Sequence, residues 1–174
     1  MNIFITNANP ITAAQELCDQ HTRSKLQIES AIMLQHCFDN TVLEKAPKTK
    51  SGKVRKAGKG YYNHPCSVWV RETTDNYMWL VEHALEMFKE RDYRWPSSNP
   101  HFTLEFIQWC KQNIDKTNNK KGKLTPFVVA INPKSKCKQI KNFEKMSVLE
   151  KYQHYVKLDK NFATWTRRQK PHWY

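Results

Sequence analysis

Residues 61–83 read YYNHPCSVWVRETTDNYMWLVEH, and this stretch decides the fold that the sequence predicts. Pro65 suits the first turn of a helix, where its missing N–H costs least, and Asn63 or His64 stands before it as an N-cap. A break and a second N-cap are predicted at residues 73–74. Apolar residues continue at helical spacing on both sides of that break, at Trp69, Tyr77, Leu80, Val81, Ala84 and Phe88. We expect them to form the core of a mainly α-helical protein.

Polar residues in the same stretch are not explained by core packing. His64, Arg71, Glu72 and His83 stand among the aromatic anchors and directly follow a lysine-rich segment. Residues 64–72 are therefore a candidate site as well as a scaffold.

The flanking segments extend the helical pattern over residues 1–174 as one compact domain, which is long enough to bury a single core. The chain begins with a short extended segment at residues 2–6, which we expect to be held in the fold. Four further helices are predicted. The first begins near Thr12, the second and third cover about residues 25–38 and 102–114, and the last covers about residues 147–167.

Glu29 lies on the apolar side of the helix predicted over residues 25–38. On the helical wheel it is close to Leu26 and Met33, and Lys25 precedes it by one turn. A carboxylate in this position has two explanations: a partly buried ion pair with Lys25 or a neighbouring arginine, or a catalytic group. The sequence alone leaves both open.

Two basic segments are candidates for contact with phosphates. Residues 45–59 read KAPKTKSGKVRKAGK, with seven basic and no acidic residues, and nothing in them is expected to bury a face. We predict a mobile loop at about residues 45–60, either an arm that orders on phosphates or a solvated insertion. The chain ends in TWTRRQKPHWY, whose tryptophans either stack on bases or pack against the fold.

The charge of the chain favours a polyanionic partner. With 29 Lys and Arg against 16 Asp and Glu, the formal net charge is +13, which creates a long-range field that attracts nucleic acid. A basic surface that only aids solubility is the alternative. No basic amphipathic terminus favours a membrane surface, and no apolar run is long enough to span a bilayer.

The remaining patterns exclude several classes of protein. Five cysteines without CxxC pairs do not form a disulfide framework, which favours a reducing compartment such as the cytoplasm. No paired half-sites with zinc-finger spacing occur, so no metal is predicted. Walker, Rossmann and GxSxG motifs are missing and only four glycines are present, so no nucleotide cofactor is predicted.

Four segments resemble a group of small phage proteins described as pyrimidine-dimer DNA glycosylases. They read CDQHTRSKLQIESAIML (18–34), YYNHPCSVWVRETTDNYMWLVEH (61–83), TPF (125–127) and FATWTRRQKPHWY (162–174). A thinner similarity to the classical phage pyrimidine-dimer glycosylase with lyase activity rests on Asp19-Gln20-His21 with a downstream Glu, and on Lys170-Pro171 followed by Trp173-Tyr174.

The resemblance implies an all-α enzyme acting on DNA in the cytoplasm of a phage-infected bacterium. In the classical enzyme an N-terminal α-amine attacks C1′ of the sugar to form a Schiff base, and a Glu assists ring opening and strand cleavage. Glu29 would be that carboxylate, and the amine would belong to Met1, or to Asn2 if Met1 is removed. An α-amine is substantially neutral near physiological pH, so it can act as a nucleophile.

The sequence therefore predicts a DNA-binding base-excision enzyme, an N-glycosylase with AP-lyase activity. The residues expected to contact nucleic acid are His21, Arg23, Lys25, Lys53, Arg55, Lys56, His64, Arg71, Arg167 and Arg168. The residues expected to stack on bases are Trp69, Trp165 and Trp173. Two rival hypotheses are a non-catalytic phage protein that coats or blocks nucleic acid and another nucleotide- or base-modifying enzyme with a small-molecule pocket. The oligomeric state is not predicted.

Overall fold

Seven α-helices make up most of the regular structure in residues 2–96 and 99–174, the part of the chain that this computed structural model describes, and no β-strand occurs there. The helices are α1 (Pro10–Glu16), α2 (Leu26–Gln35), α3 (Asn40–Leu43), α4 (Pro65–Glu72), α5 (Thr74–Arg94), α6 (Leu104–Gln112) and α7 (Val148–Asp159). A π-helical turn (His21–Lys25) leads directly into α2. The expectation of a single all-α domain is confirmed.

Helix α5 is the centre of the fold and contacts α1, α2, α4 and α6. It begins where the Thr73 side chain accepts a hydrogen bond from the Asn76 N–H at 3.1 Å. Thr73 itself is extended, with φ −138° and ψ 161°, so α4 and α5 are separate helices as predicted. Tyr77 is fully buried and its hydroxyl donates to the Cys110 carbonyl of α6 at 2.8 Å.

Helix α4 begins as its sequence indicates. The His64 Nδ1 accepts the Cys66 N–H at 3.3 Å, and Pro65 occupies the first turn. The six apolar positions predicted to form the core in α4 and α5 are all buried, so their role as scaffold is confirmed.

The N-terminal segment is buried over residues 2–6, as expected, but it has no regular secondary structure and is not extended throughout. Phe4 has a left-handed backbone conformation with φ 58°, which is unusual for a bulky residue. Its ring stacks on Tyr155 of α7 with centroids 5.6 Å apart. The start of the described chain is thus enclosed by side chains from distant parts of the sequence.

The basic loop does bury part of itself, which contradicts the expectation that nothing in it could. Arg55 is buried: its Nε donates to the Pro47 carbonyl at 3.0 Å and its guanidinium lies 3.9 Å from the centroid of the Phe106 ring. Farther along, the Ala57 N–H donates to Asn40 at 2.9 Å. The loop is therefore attached to α3 and α6, while Lys53 and Lys56 remain exposed.

The last helix is shorter than predicted, because α7 ends at Asp159. Its start is fixed by a capping box in which Ser147 and Glu150 bond reciprocally. Beyond α7 the chain runs without helix across α1 and α5. The five cysteines are buried and free, and no helix in the described chain is long and apolar enough to cross a membrane.

Candidate functional site

Glu29 is held against the start of the chain. It lies in the first turn of α2 and is half-buried, and its Oε2 accepts the backbone N–H of Asn2 at 2.8 Å. Asn2 itself is buried. The Glu29 carboxylate thus contacts the backbone nitrogen of Asn2, and this nitrogen would be the α-amine if Met1 were removed. Met1, the other predicted source of the amine, lies outside the described residues.

The side chain of Asn2 fixes the position of that nitrogen. Its Oδ1 accepts the Tyr152 hydroxyl at 2.7 Å and its Nδ2 donates to the Ala130 carbonyl at 2.9 Å. The Ala130 N–H in turn donates to the Tyr152 hydroxyl at 3.0 Å. Three separate regions, α2, α7 and the segment before residue 131, therefore meet at Asn2.

His64 and Cys66 form another side of the site. Burial lowers the pKa of His64, and the charge of Glu29 acts in the opposite direction, so the two side chains interact electrostatically. Because His64 Nδ1 accepts the Cys66 N–H, the neutral ring carries its proton on Nε2. Burial raises the pKa of the Cys66 thiol to about 12, so this sulfur is not a thiolate at neutral pH.

His21 lies inside the fold, which contradicts the expected contact with DNA. Its ring is 4.0 Å from the Phe4 ring, and only 4% of the residue is exposed. Burial, together with the charges of Lys160 and Lys25, lowers its pKa to about 3. His21 is therefore a neutral packing partner of the N-terminal segment, and the two lysines place positive charge nearby.

The other predicted phosphate contacts divide into exposed and engaged side chains. Those exposed to solvent are Arg23, Lys25, Lys53 and Lys56, whereas Arg167 is exposed but donates from its Nη1 to the Tyr93 carbonyl at 3.2 Å. Arg71 donates to the Tyr62 carbonyl at 2.8 Å and lies over the Tyr62 ring. Arg168 bonds Glu90, with its Nε 3.0 Å from Oε2. Arg55 is buried in the loop contact described above, so Arg55, Arg71, Arg167 and Arg168 all have structural partners.

The tryptophans predicted to stack on bases are largely part of the core. Trp69 is fully buried, and Trp165 is buried with its indole N–H donating to the Glu16 carbonyl at 2.9 Å. Neither ring is open to a base in this structure, which contradicts that prediction. Trp173 is half-buried and packs near Tyr174, with ring centroids 6.3 Å apart.

Asp19 connects two segments that are far apart in the sequence, residues 18–21 and the C-terminal tail. Its carboxylate accepts hydrogen bonds from the Thr164 hydroxyl at 2.9 Å and from the Thr166 N–H at 3.0 Å. It also pairs with Arg94 of α5 at 3.1 Å. The segment at 18–21 and the C-terminal tail are therefore in direct contact, and the tail is held on α5.

Sequence reasoning missed Tyr152 and the side chain of Asn2, which have no motif around them. In the described ranges, no group of three or more His, Cys, Asp or Glu side chains is arranged to hold a metal ion. The groups that the structure brings together here are the Glu29 carboxylate, the backbone nitrogen of Asn2 and the imidazole of His64.

Comparison of the chain with protein-family models, curated proteins and solved structures finds no match. The fold and the site define a basic, all-α protein with a carboxylate directed at the beginning of its chain.

Proposed function

We propose that this protein is a DNA N-glycosylase with AP-lyase activity on damaged or modified pyrimidines. The α-amine at the start of the chain would be the nucleophile and Glu29 the carboxylate that assists it. The observation that carries the proposal is the 2.8 Å hydrogen bond between the Asn2 nitrogen and Glu29 Oε2.

Burial of the N-terminal segment supports this role, because chain termini are usually mobile unless something holds them. Here Asn2 is bonded through its backbone N–H and through both polar atoms of its side chain. If Met1 is removed, the Asn2 nitrogen is itself the amine. If Met1 is retained, its amine is separated from that nitrogen by only two atoms of the chain.

The proposed reaction would use these groups as follows. The neutral amine attacks C1′ of the damaged nucleotide, the glycosidic bond breaks, and the base departs with a proton. Opening of the sugar ring at O4′ gives an iminium between the amine and C1′. Removal of a C2′ proton then expels the 3′ phosphate by β-elimination, and water releases the sugar fragment and regenerates the amine. Glu29 would stabilise the developing positive charge and transfer protons.

Positive charge around the site supports DNA as the substrate. The net charge of +13 favours association with a polyanion. Near the site, the positive charges of Lys25 and Lys160 lower the pKa of His21, which packs against the N-terminal segment. Exposed Arg23 and Lys25 lie in the turn that leads into α2. A phosphate backbone contacting that turn would bring a sugar toward Glu29.

The test is strand cleavage of an abasic duplex by Glu29→Gln. The amide oxygen can still accept the Asn2 N–H, so the fold should be retained, but the group can neither carry charge nor transfer protons. We expect a rate lower by roughly 10²–10⁴-fold. Glu105→Gln changes an exposed carboxylate of α6 and is the matched control.

Two results would overturn the proposal: cleavage by Glu29→Gln at the wild-type rate, or no cleavage of abasic or dimer-containing duplexes by the wild type. Tight, salt-sensitive DNA binding without cleavage would favour the non-catalytic rival.

A further inference from the structure

A second candidate site lies beside the Glu29 helix. A cavity of about 510 Å³ opens between α2, the loop at residues 49–55 and residues 102–103, which directly precede α6. Its apolar side is formed by Ile28, Ala31 and Ile32. This volume is within the range of small-molecule pockets in proteins.

An exposed aromatic ring forms part of the wall. Phe102 is 40% exposed, and the Lys50 ammonium lies 5.5 Å from its ring centroid. An exposed ring next to a cation suits a ligand that has both a flat aromatic part and a negative charge. The side-chain amide of Gln35 and the hydroxyls of Thr49 and Ser51 supply polar groups in the same cavity.

Arg55 adds a buried positive charge without a full set of partners. It lines the cavity and only 6% of it is exposed, yet its Nη2 has no hydrogen-bond partner in the described chain. A buried guanidinium with an unpaired N–H group is costly, and an anionic ligand would satisfy it.

The tip of the loop has a fixed shape that keeps these groups together. The Thr49 N–H donates to the Lys53 carbonyl at 2.9 Å and the Gly52 N–H donates to the Thr49 carbonyl at 2.8 Å. Gly52 has φ 75°, a conformation that suits glycine. The turn therefore presents Lys50 and Ser51 at the mouth of the cavity.

We infer that this cavity binds one nucleotide unit, with the base stacked on Phe102 against the apolar side of α2 and the phosphate between Lys50 and Arg55. The same chemistry has two sources: a free nucleoside monophosphate, or a nucleotide within a single strand. This site is distinct from the chemistry at Glu29, although Ile28 and Ile32 lie on the same helix.

The experiment measures binding of the deoxynucleoside 5′-monophosphates by calorimetry, and binding of a short single-stranded oligothymidylate by fluorescence anisotropy. Phe102→Leu removes the aromatic ring and Lys50→Ala removes the ammonium. Phe162→Leu and Lys59→Ala are matched controls, because both residues are exposed and neither lines the cavity. Circular dichroism checks that every variant is folded.

We expect Phe102→Leu to weaken binding by about tenfold, as loss of base stacking does, with a similar effect from Lys50→Ala and none from the controls. If only the cavity variants bind free monophosphates more weakly, the cavity binds free nucleotides. If the cavity variants are weakened only toward the oligonucleotide, the cavity binds a nucleotide within a single strand. If neither ligand distinguishes the cavity variants from the controls, the inference is wrong. The same binding measurements on Glu29→Gln separate the two proposals, because loss of the catalytic carboxylate should leave binding in the cavity unchanged.

Discussion

At the scale of single residues, Asn2 links the start of the chain to three other regions. Its backbone N–H reaches Glu29, its Oδ1 accepts from Tyr152 and its Nδ2 donates to Ala130. A nucleophile must be held close to its reacting carbon, and small displacements have large effects on rate. Tyr152 is then a positioning residue for the proposed amine.

Tyr152→Phe tests that role. Loss of the hydroxyl removes the donor to the buried Asn2 Oδ1 and the described acceptor of the partly buried Ala130 N–H, so we expect the free energy of unfolding to fall by about 1–3 kcal/mol. Cleavage of abasic DNA should slow as well, because Asn2 is no longer fixed from that side. Urea denaturation and a cleavage assay measure the two effects. Tyr155→Phe, on the same helix, should change stability less; equal stability of both variants and the wild type would contradict the assignment.

At the scale of elements, the C-terminal tail is held by buried charges. Asp19 and Glu90 both pair with Arg94 of α5, and Glu90 also bonds Arg168 of the tail. Arg94 is fully enclosed, and its guanidinium additionally donates to the Leu17 carbonyl at 2.8 Å. These contacts explain why the tail follows α1 and α5 after α7 ends.

Asp19→Ala should release the tail. The variant loses the acceptor for Thr164 and Thr166 and one partner of a buried arginine, so we expect about 3–5 kcal/mol of destabilisation. Trypsin should also cut faster after Arg167. Asp92→Ala changes an exposed carboxylate and should stay within about 0.5 kcal/mol of the wild type. A tail equally protected from trypsin in Asp19→Ala would refute this anchoring.

Local sequence signals predicted the elements better than their contacts. Pro65 and Thr73 mark helix starts through their own backbone and side-chain chemistry, and both predictions hold. The burial of Arg55 was missed because it depends on Phe106, which is far away in sequence.

The site shows the same division between local and distant interactions. Glu29 stood out because a carboxylate on an apolar helix face is unusual. Tyr152 did not, because its bond to Asn2 joins residues 150 positions apart.

At the scale of the whole molecule, buried histidines make stability depend on pH. Burial lowers the pKa of His21 and His83 to about 3 and that of His101 to about 4, from 6.5. Below pH 6.5 the unfolded chain takes up protons at these rings while the folded protein does not. The free energy of unfolding should therefore decrease as the pH falls from 6.5 toward 4.

His83→Phe isolates one of these contributions. His83 stacks on Trp79 at 5.0 Å and both ring nitrogens are buried without a partner in the described chain, so phenylalanine can replace it. We expect the slope of stability against pH between 6.5 and 4 to decrease by about 1.4 kcal/mol per pH unit. His172→Phe, at an exposed position, is the matched control. Denaturant titrations at several pH values measure it, and an unaltered slope in His83→Phe would be contrary to this explanation.

The basic surface should make DNA binding sensitive to salt. Replacing exposed Lys53 and Lys56 together by alanine should weaken binding and reduce the slope of log Kd against log salt by about 1.8, if both contact phosphates. Lys141 and Lys145, also exposed, provide a control with the same loss of charge. Equal slopes for the two double variants would mean that the loop contributes only net charge.

Borohydride trapping on abasic duplex DNA tests the central claim most directly, because it reduces an iminium to a stable covalent bond. The wild type should give a DNA adduct that peptide mass analysis locates on the amine of Met1 or Asn2. Extra residues before Met1 should abolish it, whereas the same extension after Tyr174 should not. Absence of an adduct, or an adduct on a lysine side chain, would contradict an N-terminal amine working beside Glu29.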